Sequence, residues 1–541
     1  MFLCAFDVMG IQSYIFRSNA LRDNVGASRI IDRVSRDLLF EAGRFLDDGA
    51  KWESQELTEA NLAAKRALLV YASGGAAQVL LRDRADAERL VQQHRQAILM
   101  ESLGVSVAAD ISAWEPATES LAEANGRQRR RLALRKASQV DVQWPELPPV
   151  LTRCQRTRSP AYVQDWSEDD APEWISRTVR AQRREFGKPE PGRGEYQKQL
   201  EVARSMGLCL SNQMDAIRGR VGEQSYVGLV HLDVNGMGKH FERQALTQEG
   251  DTTASVLARL RAESARVDDA LSAAMGATLK WLLDHISKDS RGHYCAFRSP
   301  QTDEADHSGV CLIIDPKQGL PALPLRPIVI AGDEITLVCE GSLALDLAAQ
   351  LTVSLVTELR RLLKNEHITA SVGVALGKAH APFSRLYKLA EASCKRAKDR
   401  GRNRGGSWLD YRFLNEPWPQ ELERRPTTQA DPSYRPFLLS KQSADTITFD
   451  FFRKQLLARL QGPEGRAFHT QLKSLAGDFA SGRAAVERRL ALWKERKMYP
   501  AGIFVEEVAE LGHLLFEGER SPYYDALVLM DFVYSAVGDT P

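Results

Sequence analysis

The chain has little cysteine, almost no net charge and no apolar run of membrane-spanning length. Seven cysteines stand among 541 residues without regular spacing. That excludes a disulfide framework and suits reduced thiols in the cytoplasm. Lysine and arginine number 72, aspartate and glutamate 71, for a net charge of +1. Such a balance excludes a strong overall field for nucleic acid, though not local patches. The N-terminus lacks a basic segment followed by an apolar core, and no apolar run reaches the roughly 20 residues of a membrane helix. No secretory signal and no membrane partner are therefore expected. What is present is ordinary for a globular protein, with 43% hydrophobic and 26% charged residues. Several domains are expected at this length.

The most informative stretch is Ile328-Val329-Ile330-Ala331-Gly332-Asp333-Glu334-Ile335-Thr336-Leu337-Val338. Two β-branched, apolar runs flank a glycine and two adjacent acids, so the stretch reads as a hairpin with carboxylates at its tip. Adjacent carboxylates repel and disfavour strands, and a divalent metal removes that penalty. A solvated Asp-Glu turn is the plain alternative. A second acidic segment upstream argues against it. Tyr226-Val227-Gly228-Leu229-Val230-His231-Leu232-Asp233 is an apolar strand ending in an acid. Val234-Asn235-Gly236-Met237-Gly238-Lys239 then leads into a helical stretch. Gly236 and Gly238 allow close backbone approach, a helix start suits phosphate, and Lys239 adds charge. Asp233, Asp333 and Glu334 together make a three-carboxylate site.

The element order around it is strand, helical region, hairpin, helix to about Leu363, strand Ile368–Leu376, then an amphipathic helix from Phe383 through Lys398. This β-α-β-β-α-β order is a ferredoxin-like split βαβ, the palm architecture of polymerases and nucleotide cyclases. The chain also repeats itself. Phe2-Leu3-Cys4-Ala5-Phe6-Asp7-Val8-Met9-Gly10 is again a strand, an acid and a glycine turn. Ala67–Leu81 is again a glycine-tipped hairpin, followed by a helix near Ala85–Leu103 and a strand Val105–Ile111. In this copy Ala76 and Ala77 are expected to fall where Asp333 and Glu334 stand in the other. The fold class is thus α+β, with two ferredoxin-like palm domains, helical inserts and a C-terminal helical bundle.

These segments resemble the large, signal-generating polymerase subunit of type III CRISPR effector complexes. Such subunits carry two palms, the second with an Asp-x-Asp-x-Met-Gly segment and a Gly-Gly-Asp-Asp hairpin. Here Asp233-Val234-Asn235-Gly236-Met237-Gly238 and Ala331-Gly332-Asp333-Glu334 stand in those places. Asp7 through Phe16 and Gly26-Ala27-Ser28 are similar to the family's first palm. Ala390-Glu391 through Asn403 is similar to this family and to diguanylate cyclases. The resemblance covers most of residues 1–410. It implies conversion of ATP to a cyclic or linear oligonucleotide messenger with pyrophosphate release, in antiviral defence. It also implies two Mg²⁺ or Mn²⁺ ions held by Asp233, Asp333 and Glu334, the catalytic residues. Candidate nucleotide-binding residues are Asn235, Gly236, Met237, Gly238, Lys239 and Gly332, with Gly10 and Ser13 from the first palm. Lys398 joins them, since the related cyclases place a phosphate-contacting lysine there.

The chain departs from the family pattern at Asn235 and Glu334, where the family has aspartates. It begins at the first palm strand, so the family's HD nuclease is expected to be absent. Cys154 stands alone where many members have a cysteine cluster, and one thiol makes no closed zinc site. A basic run, Arg127, Arg129, Arg130, Arg131, Arg135 and Lys136, reads as a solvated helix face, with RNA binding as the alternative. A second run spans Lys395 to Arg404. Arg177–Gln213 is charged and helical in pattern, His293–Pro324 reads as a long loop, and Glu416–Pro436 as a proline-rich linker. Helices are expected at Phe449–Leu460, Ala467–Ser481, Ala484–Arg496 and Phe504–Glu517, docking a protein partner or a second copy. Four units follow: 1–115, a degenerate first palm; 116–222, a helical linking domain; 223–415, the second palm with the metal site; and 437–541, the C-terminal helices. The rival readings are an inactive scaffold that binds nucleotide or RNA, and a diguanylate-cyclase-like enzyme using GTP.

Overall fold

The computed structural model describes residues 1–46, 49–101, 103–138, 151–167, 171–190, 193–218, 225–289, 291–297, 309–414, 431–439, 446–500, 502–504 and 516–534. Two sheets organise them. In the N-terminal one, strands Phe2–Val8, Ala67–Ser73, Ala76–Leu81 and Val107–Ala113 pair antiparallel, with Phe2–Val8 between the last two. In the second, strands Tyr226–Asn235, Leu325–Ala331, Glu334–Glu340 and Thr369–Lys378 repeat that order. Strand Trp408–Phe413 then adds in parallel to Thr369–Lys378, and Phe437–Leu438 closes the edge. Both are ferredoxin-like palm sheets, as the element order implied.

The strand Tyr226–Asn235 is apolar along its length because both faces are covered. Val230, Leu232 and Val234 join one core with Leu271, Leu279, Leu351 and Leu355. Those leucines come from helices Thr253–Asp284 and Ala344–Leu363. Val227 and Leu229 point the other way, into a core shared with Leu386 and Leu389 and with Phe16 and Val25 of the N-terminal half. The two palms therefore share apolar surface. The 32-residue helix Thr253–Asp284 spans them, its first turns packing with Leu3, Leu68 and Leu80. Its start is fixed by a capping box between Thr252 and Ser255.

Gly373 sets how closely the helix Phe383–Arg404 lies on the second sheet. An added Cβ would stand 2.0 Å from the Ala390 carbonyl oxygen and 2.2 Å from the Cys394 amide nitrogen. Only glycine permits that approach, and it is this approach that brings Lys398 to the strand ends.

Several expectations need correction. The tip of the N-terminal hairpin is Gly74–Gly75, with Ser73 paired to Ala76, whereas Ala331 pairs with Glu334 around Gly332–Asp333. Ala76 thus matches Glu334 and Gly75 matches Asp333, a shift of one residue from the alignment by alanines. Counting glycines in sequence misplaced the turn; the ladder decides it. Two stretches of the expected long loop, Tyr294–Ala296 and Val310–Cys311, pair into a small sheet with Ile286–Lys288 before it, while residues 298–308 lie outside the described set. The end of the expected linker is packed, with Tyr434 and Arg435 buried; residues 415–430 lie outside the description.

The C-terminal helices do not stand apart, for Phe452, Leu472, Phe479 and Leu527 belong to the second palm's core. Buried Arg453 donates to both oxygens of Asp346 on helix Ala344–Leu363, at 3.1–3.2 Å. The helix expected at Phe504–Glu517 falls mostly outside the described residues, and Pro522–Leu529 is a helix not foreseen. Gly341–Leu363 is one segment long and apolar enough to cross a membrane, contrary to expectation. It is 61% buried here, as suits a core helix.

Candidate functional site

Strand alternation puts His231, Asp233 and Asn235 on one face of Tyr226–Asn235. The register sets Glu334 and Ser371 opposite Asp233 on the two neighbouring strands. Facing positions in antiparallel strands lie roughly 4.5–5.5 Å apart at Cα. Asp233 and Glu334 are therefore obligatory neighbours. Asp333 follows at the tip beside Gly332, whose φ of 64° suits the two-residue turn. The Asp333 carbonyl accepts from the Val234 amide at 2.9 Å, tying the tip to the first strand.

Two of the three carboxylates have a side-chain donor. Lys398 Nζ donates to both Asp233 oxygens, at 2.8 and 3.0 Å. Gln12, from the N-terminal palm, donates from Nε2 to both Glu334 oxygens, at 2.6 and 2.8 Å. Burial pushes the Glu334 carboxyl up to about 7; the Gln12 amide opposes this, and Asp333, Asp233 and Glu391 add to it. Asp333 is raised as well, by burial and then by Asp233. His231, hydrogen-bonded through Nδ1 to Thr336 Oγ1 at 2.9 Å, is lowered to about 4 by burial, so it stays neutral.

Asp233 thus acts on both Asp333 and Glu334, and Asp333 on Glu334, which is the electrostatic condition a bound cation relieves. Oxygen-only donors on facing strand positions fit a hard divalent ion by type. Among the described residues, no three His, Cys, Asp or Glu side chains converge on one metal position. Asp233 is turned to Lys398 and Glu334 to Gln12 instead.

A cavity of about 420 Å³ opens beside the two hairpin tips. Gln12, Gly74, Gly75, Gly332, Asp333 and Glu334 line one side of it. The tips nearly touch, for a Cβ on Gly74 would stand 2.9 Å from the Gly332 Cα. Arg29, Arg33, Arg36, Lys188 and Arg193 reach the cavity too, but carboxylates outnumber these bases among its lining residues.

The other expected residues divide. Gly236, with φ of 80°, precedes the helix Met237–Gln244, and Gly10, with φ of 59°, precedes Ile11–Ile15 in the same way. Gly238 and Lys239 are exposed at that helix start. Met237 is buried in the palm core, away from any ligand surface. The Asn235 amide donates to Thr369 Oγ1 and Ser371 Oγ at 3.1 and 3.0 Å. The Ser13 hydroxyl is spent on the Gly10 carbonyl at 2.8 Å. The N-terminal palm has its own acid–lysine pair, Asp7 with Lys136. Of the first basic run, Arg127, Arg129, Arg131, Arg135 and Lys136 all face carboxylates, so a helix face is the better description. Sequence reasoning did not single out Gln12, Glu391 or the arginines of helix Leu21–Ser35. The available signal was position: Gln12 follows Gly10 at the spacing by which Gly238 follows Gly236.

Residues 226–405 match the family model for the Cas10/Cmr2 second palm domain. This segment is a Cas10-type palm. No curated protein sequence matches the chain. Among solved structures, Csm1 of T. onnurineus aligns with a TM-score of 0.53 at 14% identity, over 98% of this chain and 69% of that one. A Csm1–Csm4 cassette in complex with cA3 gives 0.53 at 14%, over 99% and 70%. One in complex with AMPPNP gives 0.51 at 14%, over 99% and 70%. At such identities the likeness is one of fold, and it runs across both palms. The resemblance read from the sequence to the large subunit of type III effectors is borne out.

Proposed function

We propose that the chain is a nucleotidyltransferase that joins nucleoside triphosphates, ATP favoured, into a cyclic or linear oligonucleotide with release of pyrophosphate. The observation that carries this reading is the forced pairing of Asp233 with Glu334, with Glu334 and Asp333 lining the cavity between the two palms. The nucleotide and oligoadenylate complexes of the Csm1–Csm4 cassettes support ATP as substrate. They also support a protein partner for this chain.

In the proposed step a ribose hydroxyl of one nucleotide attacks the α-phosphorus of the other. The bond to pyrophosphate breaks, and the hydroxyl proton passes to solvent or to a carboxylate. Asp233, Asp333 and Glu334 would hold two Mg²⁺ or Mn²⁺ ions, which when bound supply charge stabilisation at the attacking and leaving oxygens. The excess of carboxylates in the cavity supports a need for cations before a triphosphate enters. Lys398, which pairs with Asp233 here, would be free to meet phosphate once Asp233 held a cation. Gln12 holds Glu334 in place and couples its position to the N-terminal palm.

The test is incubation with each NTP plus Mg²⁺ or Mn²⁺, followed by mass analysis of products. Pyrophosphate and oligoadenylate support the reading. Tight nucleotide binding without turnover points to a scaffold, and cyclic diguanylate from GTP points to a diguanylate cyclase. Unchanged products from Asp333→Ala with Glu334→Ala would rule the site out.

A further inference from the structure

A second cavity, of about 440 Å³, shares Arg29 and Glu190 with the palm cavity and adds Arg326, the third member of their ion-paired cluster, to its own lining. That volume is within the usual range of small-molecule sites. Arg326 stands on strand Leu325–Ala331 and is only 2% exposed. Its Nη2 donates to Glu190 at 2.8 Å, but its Nε is buried with no acceptor. Arg29 donates to the same Glu190 oxygen at 2.7 Å. Buried Arg326 and partly exposed Arg29 thus share the Glu190 carboxylate, with Glu185 also acting on Arg29. An orphaned donor of this kind is costly unless something supplies an acceptor.

The same cavity holds an unmatched acceptor, the buried Oδ1 of Asn212. Leu200, Leu208 and Leu323 give it an apolar floor. Arg204 at the rim is exposed and makes no ion pair among the described residues. A fitting ligand carries anionic oxygens for the arginines, a donor for Asn212 and a flat apolar body for the leucines. A nucleoside phosphate has all three.

We propose that this cavity is a second, non-catalytic site for a nucleoside phosphate, held by Arg326 and Arg204 with Asn212 reading a donor on the base or sugar. It is separate from the palm cavity, although Arg29, Lys188 and Glu190 line both. An occupant that draws Arg326 toward itself frees Glu190 for Arg29, so the two sites are linked and each ligand alters the affinity for the other.

The experiment is calorimetric titration of the full chain with ATP, with pApA and with inorganic phosphate, in EDTA. The background carries Asp333→Ala and Glu334→Ala, so turnover does not enter and failure of the proposed catalytic site is read separately. One saturable site for ATP or pApA is expected, the stronger of the two showing whether a free nucleotide or a chain end is preferred. Arg326→Gln should weaken it at least about tenfold, the loss expected for a charge-assisted hydrogen bond. Arg204→Glu, on the surface and harmless to folding, should weaken it in the same direction. Absence of binding, or binding that neither substitution alters, overturns the proposal. Inorganic phosphate binding as tightly as ATP overturns the nucleoside assignment.

Discussion

Glu334 offers the sharpest test of the site's electrostatics, through stability in the absence of metal. Burial, with help from Asp333, Asp233 and Glu391, raises its carboxyl from 4.5 to about 7. At about 1.4 kcal/mol per unit, that difference is worth about 3 kcal/mol. The folded value lies above the unfolded one. The favourable contribution of the neutral acid is therefore fully present below about pH 4.5 and is lost as pH rises through about 7. Glu334→Gln keeps the shape and removes the titration. Urea unfolding of both proteins in EDTA, from pH 4 to pH 9, isolates the effect, because other titrating groups are common to the two. Relative to the variant, the parent should lose about 3 kcal/mol across the range, with most of the loss between pH 5 and 7.5. Parallel curves would refute the claim that Glu334 is buried among like charges.

Three further outcomes follow from the same geometry. Gln12→Ala removes the donor that favours the ionised Glu334, so the midpoint of that pH-dependent loss should move upward in the same urea series; an unmoved midpoint would mean that the cross-palm hydrogen bond does not persist in solution. Asp333→Ala should lower oligonucleotide synthesis by at least roughly 10²-fold, and Asp7→Ala should impair it less than Asp233→Ala, since Gly75 and Ala76 supply no acids beside Asp7; equal losses, with folding intact by circular dichroism, would contradict the asymmetry. Gly373→Ala forces a methyl group into the backbone of helix Phe383–Arg404 and should cost at least about 3 kcal/mol in unfolding measurements; a near-neutral effect would place that helix elsewhere.

Much of this was legible in the chain. The β-branched runs around Gly332, the apolar strand ending at Asp233 and their echo at Phe2–Gly10 each declare themselves locally. Period-2 and period-3.6 patterns fix which residues share a face. Element order then limits the fold to a palm and its repeat. The adjacency of Asp233 to the acidic hairpin followed from that topology, because the hairpin's second strand must pair with the first strand of the unit. The fates of Met237 and Ser13 were not legible. A glycine turn next to a helix start has the same sequence whether its flanking side chains face a ligand or the core.

Sequence by itself determined the elements, their order, the repeated unit and the positions of the three acids, because propensity and periodicity act over a few residues. The tertiary structure alone decided what each acid meets. Gln12 reaches Glu334 across 322 residues of chain, and Lys398 reaches Asp233 across 165. Neither contact has any local signature. The ladder register alone assigned Ala76, not Ala77, to the place of Glu334. The raised pKa values of Asp333 and Glu334 are likewise properties of the folded state, since desolvation depends on everything packed around a group and not on its neighbours in the chain.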